Sequence, residues 1–201
     1  MRQKVKHHFR RVDPVLFGLL KRAGELEEIV PRSARKLFPA LCGDIVAQQL
    51  SSSAARTIFK RFAGLFPRGA ITPRGLLELS DEAMRKAGMS RAKVRYLKDL
   101  ARAVASGEVR LSKLAALTDE EAIQELLKIQ GIGRWTAEMF LIFSLGREDV
   151  FSHGDLGLRM ALRNHYGERA ASKEEADRIT DTWSPYRTWG ARILWKLRDE
   201  T

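Results

Sequence analysis

Cysteine is nearly absent from this chain of 201 residues: Cys42 stands alone. One thiol cannot close an intrachain disulfide, complete a zinc cluster or carry a four-cysteine iron–sulfur centre. It points to a reducing compartment: the cytoplasm, with the nucleoid in a prokaryote or the nucleus in a eukaryote. Long apolar runs are missing too. None approaches the ~20 residues that span a bilayer, and the opening MRQKVKHHFRR lacks the apolar stretch of a secretory signal. No membrane partner is expected. Convincing strand alternation is absent, as are low-complexity tracts and long linkers. Acid is in deficit, with 25 Asp and Glu against 36 Lys and Arg, a net charge of +11. Such an excess suits an anionic partner, nucleic acid before an acidic membrane surface. A generally basic, solvated surface gives the same number.

What is present is helical period. The spacing predicts an all-α chain of about ten helices. Asp13-Pro14 provides an N-cap and a first-turn proline for the first segment, with Val15, Leu16, Leu19 and Leu20 as its apolar stripe. A second segment runs from about Phe38 to Phe66, with Leu50 among its core positions. Short helices follow near Thr72–Glu78 and Asp81–Ala87, then a longer one over Arg91–Ser106. Thr118-Asp119-Glu120-Glu121 and Ser172-Lys173-Glu174-Glu175 read as capping boxes, and Ser184-Pro185 as the opening of the last helix.

The most informative stretch is Leu127-Lys128-Ile129-Gln130-Gly131-Ile132-Gly133-Arg134-Trp135-Thr136-Ala137. Two glycines between helices permit positive φ and a close approach of the backbone to a ligand. The amides that open the following helix have no partner within it and suit a phosphate oxygen. An ordinary helix–helix corner with a glycine cap has the same local pattern. Downstream, Asp155 stands at a helix start with apolar residues on both sides. An isolated Asp there is usually an N-cap. The two roles are compatible, because backbone amides hold the carboxylate rigidly and the positive helix terminus favours its charge. A fixed anion is what an oxocarbenium-like transition state needs, and it can guide or deprotonate a water. His153 reads either as an accessory proton carrier or DNA contact, or as a structural loop histidine.

Hairpin and aspartate together resemble the helix-hairpin-helix DNA glycosylase superfamily, in its 3-methyladenine DNA glycosylase II (alkylation repair) branch and in compact form, without the N-terminal β-containing domain of larger members. The resemblance runs from about Asp13 to Trp195. It rests on Ile45-Val46-Ala47-Gln48-Gln49-Leu50-Ser51, Gly131 to Ala137, Asp149-Val150-Phe151 with Asp155, and Trp183-Ser184-Pro185-Tyr186-Arg187. It implies one glycosylase unit over 1–201 with two helical lobes, 36–145 and 1–35 with 146–201, and a cleft between them. It implies Asp155 as the catalytic carboxylate, Trp135 and Tyr186 as base-pocket aromatics, Gln49 as the wedge that fills the gap left by a flipped nucleotide, and Gly131, Ile132, Gly133, Arg134 and Thr136 as the DNA-backbone hairpin. Apolar wedges are common in the family, and Gln49 departs from that; Gln48 would support the wedge loop. Arg56 and Lys60 share one helix, as phosphate contacts or a solvated face.

Strand-cutting relatives carry a lysine directly after Gly-x-Gly-Arg; Trp135 stands there, which excludes a lyase step through that position. The resemblance further implies no required cofactor, and a Na+ or K+ beside a DNA phosphate on the carbonyls of Leu127, Ile129 and Ile132. The partner it implies is double-stranded DNA containing alkylated bases, met by a monomer that flips the base and leaves an abasic site. A non-catalytic hairpin DNA-binding protein and a monofunctional glycosylase for mismatched or deaminated bases remain as alternatives.

Overall fold

A computed structural model describes residues 2–198; the outermost positions of the expected unit, 1 and 199–201, lie outside the described residues. The fold is all-α, with no strand among the described residues. Twelve α-helices follow in order: α1 Gln3–Val12, α2 Pro14–Ala23, α3 Ala34–Ala47, α4 Ser52–Ala63, α5 Pro73–Glu78, α6 Asp81–Lys86, α7 Arg91–Ala105, α8 Asp119–Leu127, α9 Arg134–Phe143, α10 Leu156–Tyr166, α11 Lys173–Asp181 and α12 Arg187–Arg198. The chain divides into two compact units. One comprises the residues up to Val30 with those from Leu141 onward, the other Pro31–Phe140. Helix α9 crosses from one to the other.

The first unit is organised around Asp13. Its Oδ1 caps α2 by accepting from the Leu16 amide at 2.8 Å, and its Oδ2 accepts from the Tyr166 hydroxyl and the Trp183 indole, each at 2.7 Å. Burial, and then the Asp13 carboxylate beside it, push the Tyr166 hydroxyl far above its ordinary pKa, so it stays a donor. Trp183 is fully buried, and a Cβ on Gly190 would come within 2.4 Å of its ring. A small residue on α12 is therefore what lets the tryptophan lie flat against that helix.

In the second unit α3 packs on α4 and α7, and α5 and α6 pack on α7. The Lys93 ammonium of α7 donates to the Val46 carbonyl near the C-terminus of α3 at 2.7 Å, where a positive charge meets the negative end of the helix.

Several expectations need correction. A helix, α1, precedes the Asp13-Pro14 start; it buries only Val5 and Phe9, too sparse a stripe to read from sequence. The segment from Phe38 to Phe66 is two helices, not one. Gln49 breaks it with φ +58, and Ser51 then caps α4 by accepting from the Ala54 amide. Leu50 and Val15 are exposed, at 38% and 44%, and belong to no core. Only the first capping box is complete. At the second, Ser172 caps α11, but the Glu175 carboxylate is taken by Arg178 instead of turning back. The last helix opens at Arg187 rather than at Ser184-Pro185, because Asp149 Oδ1 accepts from the Arg187 amide and fixes the start there.

Candidate functional site

In the first unit the site is built on Asp155. It is the N-cap of α10: its Oδ1 accepts from the Leu158 amide at 2.8 Å. The same oxygen accepts from the Trp195 indole nitrogen at 3.1 Å. The carboxylate is thus held by its own helix and by α12, 40 residues away, and its residue is only 9% exposed. Phe143 stacks obliquely on Trp195, with centroids 5.8 Å apart, and is itself 43% exposed. Leu156, next to Asp155, is 66% exposed. The unit therefore presents a fixed anion with exposed apolar and aromatic surface close by. Sequence reasoning missed Trp195 and Phe143 as parts of this site, and no spacing rule would have joined Trp195 to Asp155.

A Trp195→Phe variant should keep its ring packing and lose the indole donor. A hydrogen bond to a charged acceptor is worth roughly 1.5–3 kcal/mol. The melting temperature should fall by roughly 3–12 °C. An unaltered melting temperature would show that the indole does not help to hold the carboxylate.

The Asp149 and Trp183–Arg187 motifs prove to be one structure. Asp149 Oδ2 accepts from the Ser184 hydroxyl at 2.8 Å, and Asp149 Oδ1 from the Arg187 amide and guanidinium, each at 3.1 Å. Thr188 adds a clasp, donating to the Arg147 carbonyl at 2.7 Å while accepting from the Val150 amide at 3.0 Å. These bonds fix the start of α12, and with it Tyr186. The Tyr186 ring packs against the unit's core, with the Lys4 ammonium 5.7 Å over its face and the His8 ring edge-on at 5.2 Å. His153 is held through Nδ1, 3.3 Å from Asp177, and its ring packs at a tilt against that of Phe151.

In the second unit the hairpin joins α8 to α9. Gly131 has φ +87, and a Cβ there would come within 2.2 Å of the Tyr96 ring. Gly133 differs from the expectation. Its φ is not in the left-handed region, and a Cβ on it would meet nothing within 4 Å. Packing does not require glycine at 133, where the space beside the backbone is open. The first bond within α9 runs from the Ala137 amide to the Gly133 carbonyl at 3.0 Å. The amides of Arg134 and Thr136 thus precede the helix's own ladder.

The side chains of the hairpin are otherwise engaged. Ile132 and Thr136 are buried. The Arg134 guanidinium is committed to Glu120, at 2.6 and 3.1 Å, and to Glu138 at 3.1 Å. Hydrogen bonds from Arg134 and then Gln124 draw the Glu120 carboxyl down to a pKa of about 2. Trp135 is 45% exposed at the start of α9 and is not a core tryptophan. Gln48 donates to the Gly131 carbonyl at 2.8 Å and, longer, to the Thr136 hydroxyl at 3.4 Å. It ties the α3–α4 turn to the hairpin and leaves Gln49 exposed at the tip. Arg56 and Lys60 are exposed on α4.

Residues 42–185 match the family described as HhH-GPD superfamily base excision DNA repair protein. The chain is 35% identical over 196 residues to DNA-3-methyladenine glycosylase 1 of Schizosaccharomyces pombe, covering 96% of this chain and 86% of that one. Among solved structures, it is similar to DNA-3-methyladenine glycosidase from Bacillus halodurans, with 36% identity and a TM-score of 0.85 over 98% of this chain and 89% of that one. It is also similar to the S. pombe 3-methyladenine DNA glycosylase in complex with abasic DNA, with 34% identity, a TM-score of 0.83 and 96% of each chain covered.

Proposed function

The chain belongs to the HhH-GPD superfamily of base excision DNA repair proteins, and from that premise we propose that it is a monofunctional DNA glycosylase that hydrolyses the N-glycosidic bond of alkylated purines in duplex DNA. The observation that carries the reading is the Asp155 carboxylate, fixed by the Leu158 amide and the Trp195 indole.

The hairpin amides take a backbone phosphate, and the +11 charge supplies the longer-range attraction. The damaged nucleotide is flipped at a cost of a few kcal/mol, and Gln49 fills the gap. Trp135 offers an indole face to the base; an alkylated purine with positive charge is drawn to it by cation–π attraction. Tyr186 is the second pocket aromatic. The C1′–N bond then breaks, and its electron pair goes to the base, which leaves neutral because alkylation had already made it cationic. Asp155 stabilises the positive charge left on the sugar. A water oxygen bonds to C1′ and its proton passes to Asp155 or to solvent. The products are free base and an abasic site. Trp135 stands where strand-cutting relatives carry an amine, so the strand stays uncut. The protein acts as a monomer.

A Na+ or K+ fits the hairpin beside the phosphate, where it would neutralise charge. The resemblance to the family gives the carbonyls of Leu127, Ile129 and Ile132 as the ones to hold the ion; the Gly131 carbonyl accepts from Gln48 instead. The Ile129 carbonyl, though it accepts from the Ile132 amide, keeps its second lone pair.

Methylated duplex DNA should release 3-methyladenine or 7-methylguanine, read by chromatography. Strands should break only on later alkali treatment. Tight DNA binding with no base released would establish a non-catalytic hairpin protein instead.

A further inference from the structure

The second unit has a pocket of about 680 Å³ that takes no part in the mechanism above, within the ~300–1,000 Å³ usual for ligand sites. It lies between the start of α3, the turn before α5 and the end of α7. Phe38, Ile71, Val109 and Leu111 are buried beneath it and form an apolar floor. Phe38 stands near the N-terminal end of α3, and Gln48 closes the other end, about 15 Å further on. Helix α7 runs the opposite way, with Lys93 at the Val46 carbonyl and Val104 on the pocket. The rim is basic. Arg35 and Arg110 line it, both exposed, and among the described residues no carboxylate lines the pocket or pairs with either guanidinium. The rest of the rim is small or polar, with Ala70, Thr72 and Ser112 at the surface, and none of the exposed large apolar side chains among the described residues belongs to it. The surface is therefore shaped to receive a bulky apolar group, not to insert one. In the turn at its edge Arg68 and Gly69 have φ +55 and +70. Gln49 is the only other non-glycine among the described residues with such a backbone, and strain of this kind clusters at ligand sites.

We propose that this pocket is the docking site for an acidic peptide segment of a partner protein, with one aromatic or large aliphatic side chain seated on the apolar floor and carboxylates beside it held by Arg35 and Arg110. Charge complementarity selects the partner. Two guanidinia without a carboxylate, set over an apolar floor, match a segment that flanks an apolar anchor with acid. A DNA backbone supplies anions but no bulky apolar group for the floor. A bilayer supplies both, but it takes up side chains that protrude, and this rim has none. The pocket and the Gln49 turn stand at opposite ends of α3, so the segment binds while the hairpin holds DNA. The site is separate from the chemistry at Asp155 and does not depend on it.

The test titrates the whole chain with a synthetic peptide that carries one tryptophan between two pairs of glutamates, and follows the methyl NMR signals of Ile71, Val104, Val109 and Leu111. These signals should shift to saturation, and a saturating duplex DNA should leave the peptide bound. Replacing the tryptophan of the peptide by serine should weaken binding at least about 30-fold, the scale of an anchor lost from its pocket. Arg35→Glu together with Arg110→Glu should weaken it at least about tenfold, since like charges then meet. Both arginines are exposed, and the melting curve of the double variant confirms that it is folded. Pocket methyls that stay still at millimolar peptide overturn the proposal, as does equal binding by the double variant. Displacement of the peptide by the duplex assigns the pocket to DNA and overturns it too. So do phosphatidylserine vesicles that move these signals where the peptide does not.

Discussion

Asp155→Asn should cut base excision by about 10³-fold while leaving the protein folded and bound to DNA. The magnitude is that of one preorganised electrostatic group removed from a reacting centre, roughly 3–4 kcal/mol. The fold survives because the asparagine oxygen can still accept from the Leu158 amide and the Trp195 indole, which now meet Oδ1 at 2.8 and 3.1 Å. Asparagine is as good an N-cap as aspartate. Only the charge is lost. Asp155→Ala removes the cap as well and should add about 1 kcal/mol of destabilisation. The two variants thus separate the capping role from the chemical one. The readouts are single-turnover release of 7-methylguanine, affinity for an abasic-site duplex by anisotropy, and thermal melting. A wild-type rate in Asp155→Asn would reduce Asp155 to a helix cap.

Much of this was legible in the sequence, wherever a local rule decides the structure. Asp13 before Pro14, Thr118 with Glu121 and Asp155 before Leu156 all announce helix starts through short side chains that accept from amides three residues on, and all three do so. The hairpin pattern is shared with ordinary glycine-capped corners, and it became readable only together with the Asp155 segment downstream. What escaped notice depends on partners far along the chain. Asp149 looked like one element of a motif; its work is to fix a turn 35 residues away. The turn at Gln48–Ser51 carries neither glycine nor proline. It is made by Gln48 reaching Gly131 and by Gln49 taking a left-handed backbone, a conformation that costs a non-glycine residue about 1–2 kcal/mol. A functional tip is where such strain is kept. The Trp195–Asp155 bond has no sequence signature at all, since a tryptophan at that helical position reads equally well as packing.

The two hairpin glycines looked alike in sequence and should behave differently when replaced by alanine. At Gly131 the new methyl would come within 2.2 Å of Tyr96 Cγ, on a backbone with φ +87. The ring has to move or the turn has to flatten. The turn is pinned on both sides, by the Gln48 amide on the Gly131 carbonyl and by Asp99 Oδ2 accepting from the Gln130 amide at 2.9 Å. Backbone strain of 1–2 kcal/mol and overpacking of 1–3 kcal/mol add to about 3 kcal/mol, or roughly 10 °C in melting temperature, and the displaced turn should lose DNA affinity with it. Adding Tyr96→Ala to Gly131→Ala should relieve the overpacking and leave the backbone strain. At Gly133 the methyl meets nothing, and stability should change by roughly 1 kcal/mol or less, the cost of alanine at an N-cap. DNA affinity should nonetheless fall at least tenfold, because the methyl stands where a phosphate has to approach the first amides of α9. Thermal melts and DNA titrations of the two single variants check both halves. If Gly133→Ala binds DNA like wild type, the phosphate does not come to this hairpin. If Gly131→Ala melts like wild type, Tyr96 does not hold the turn.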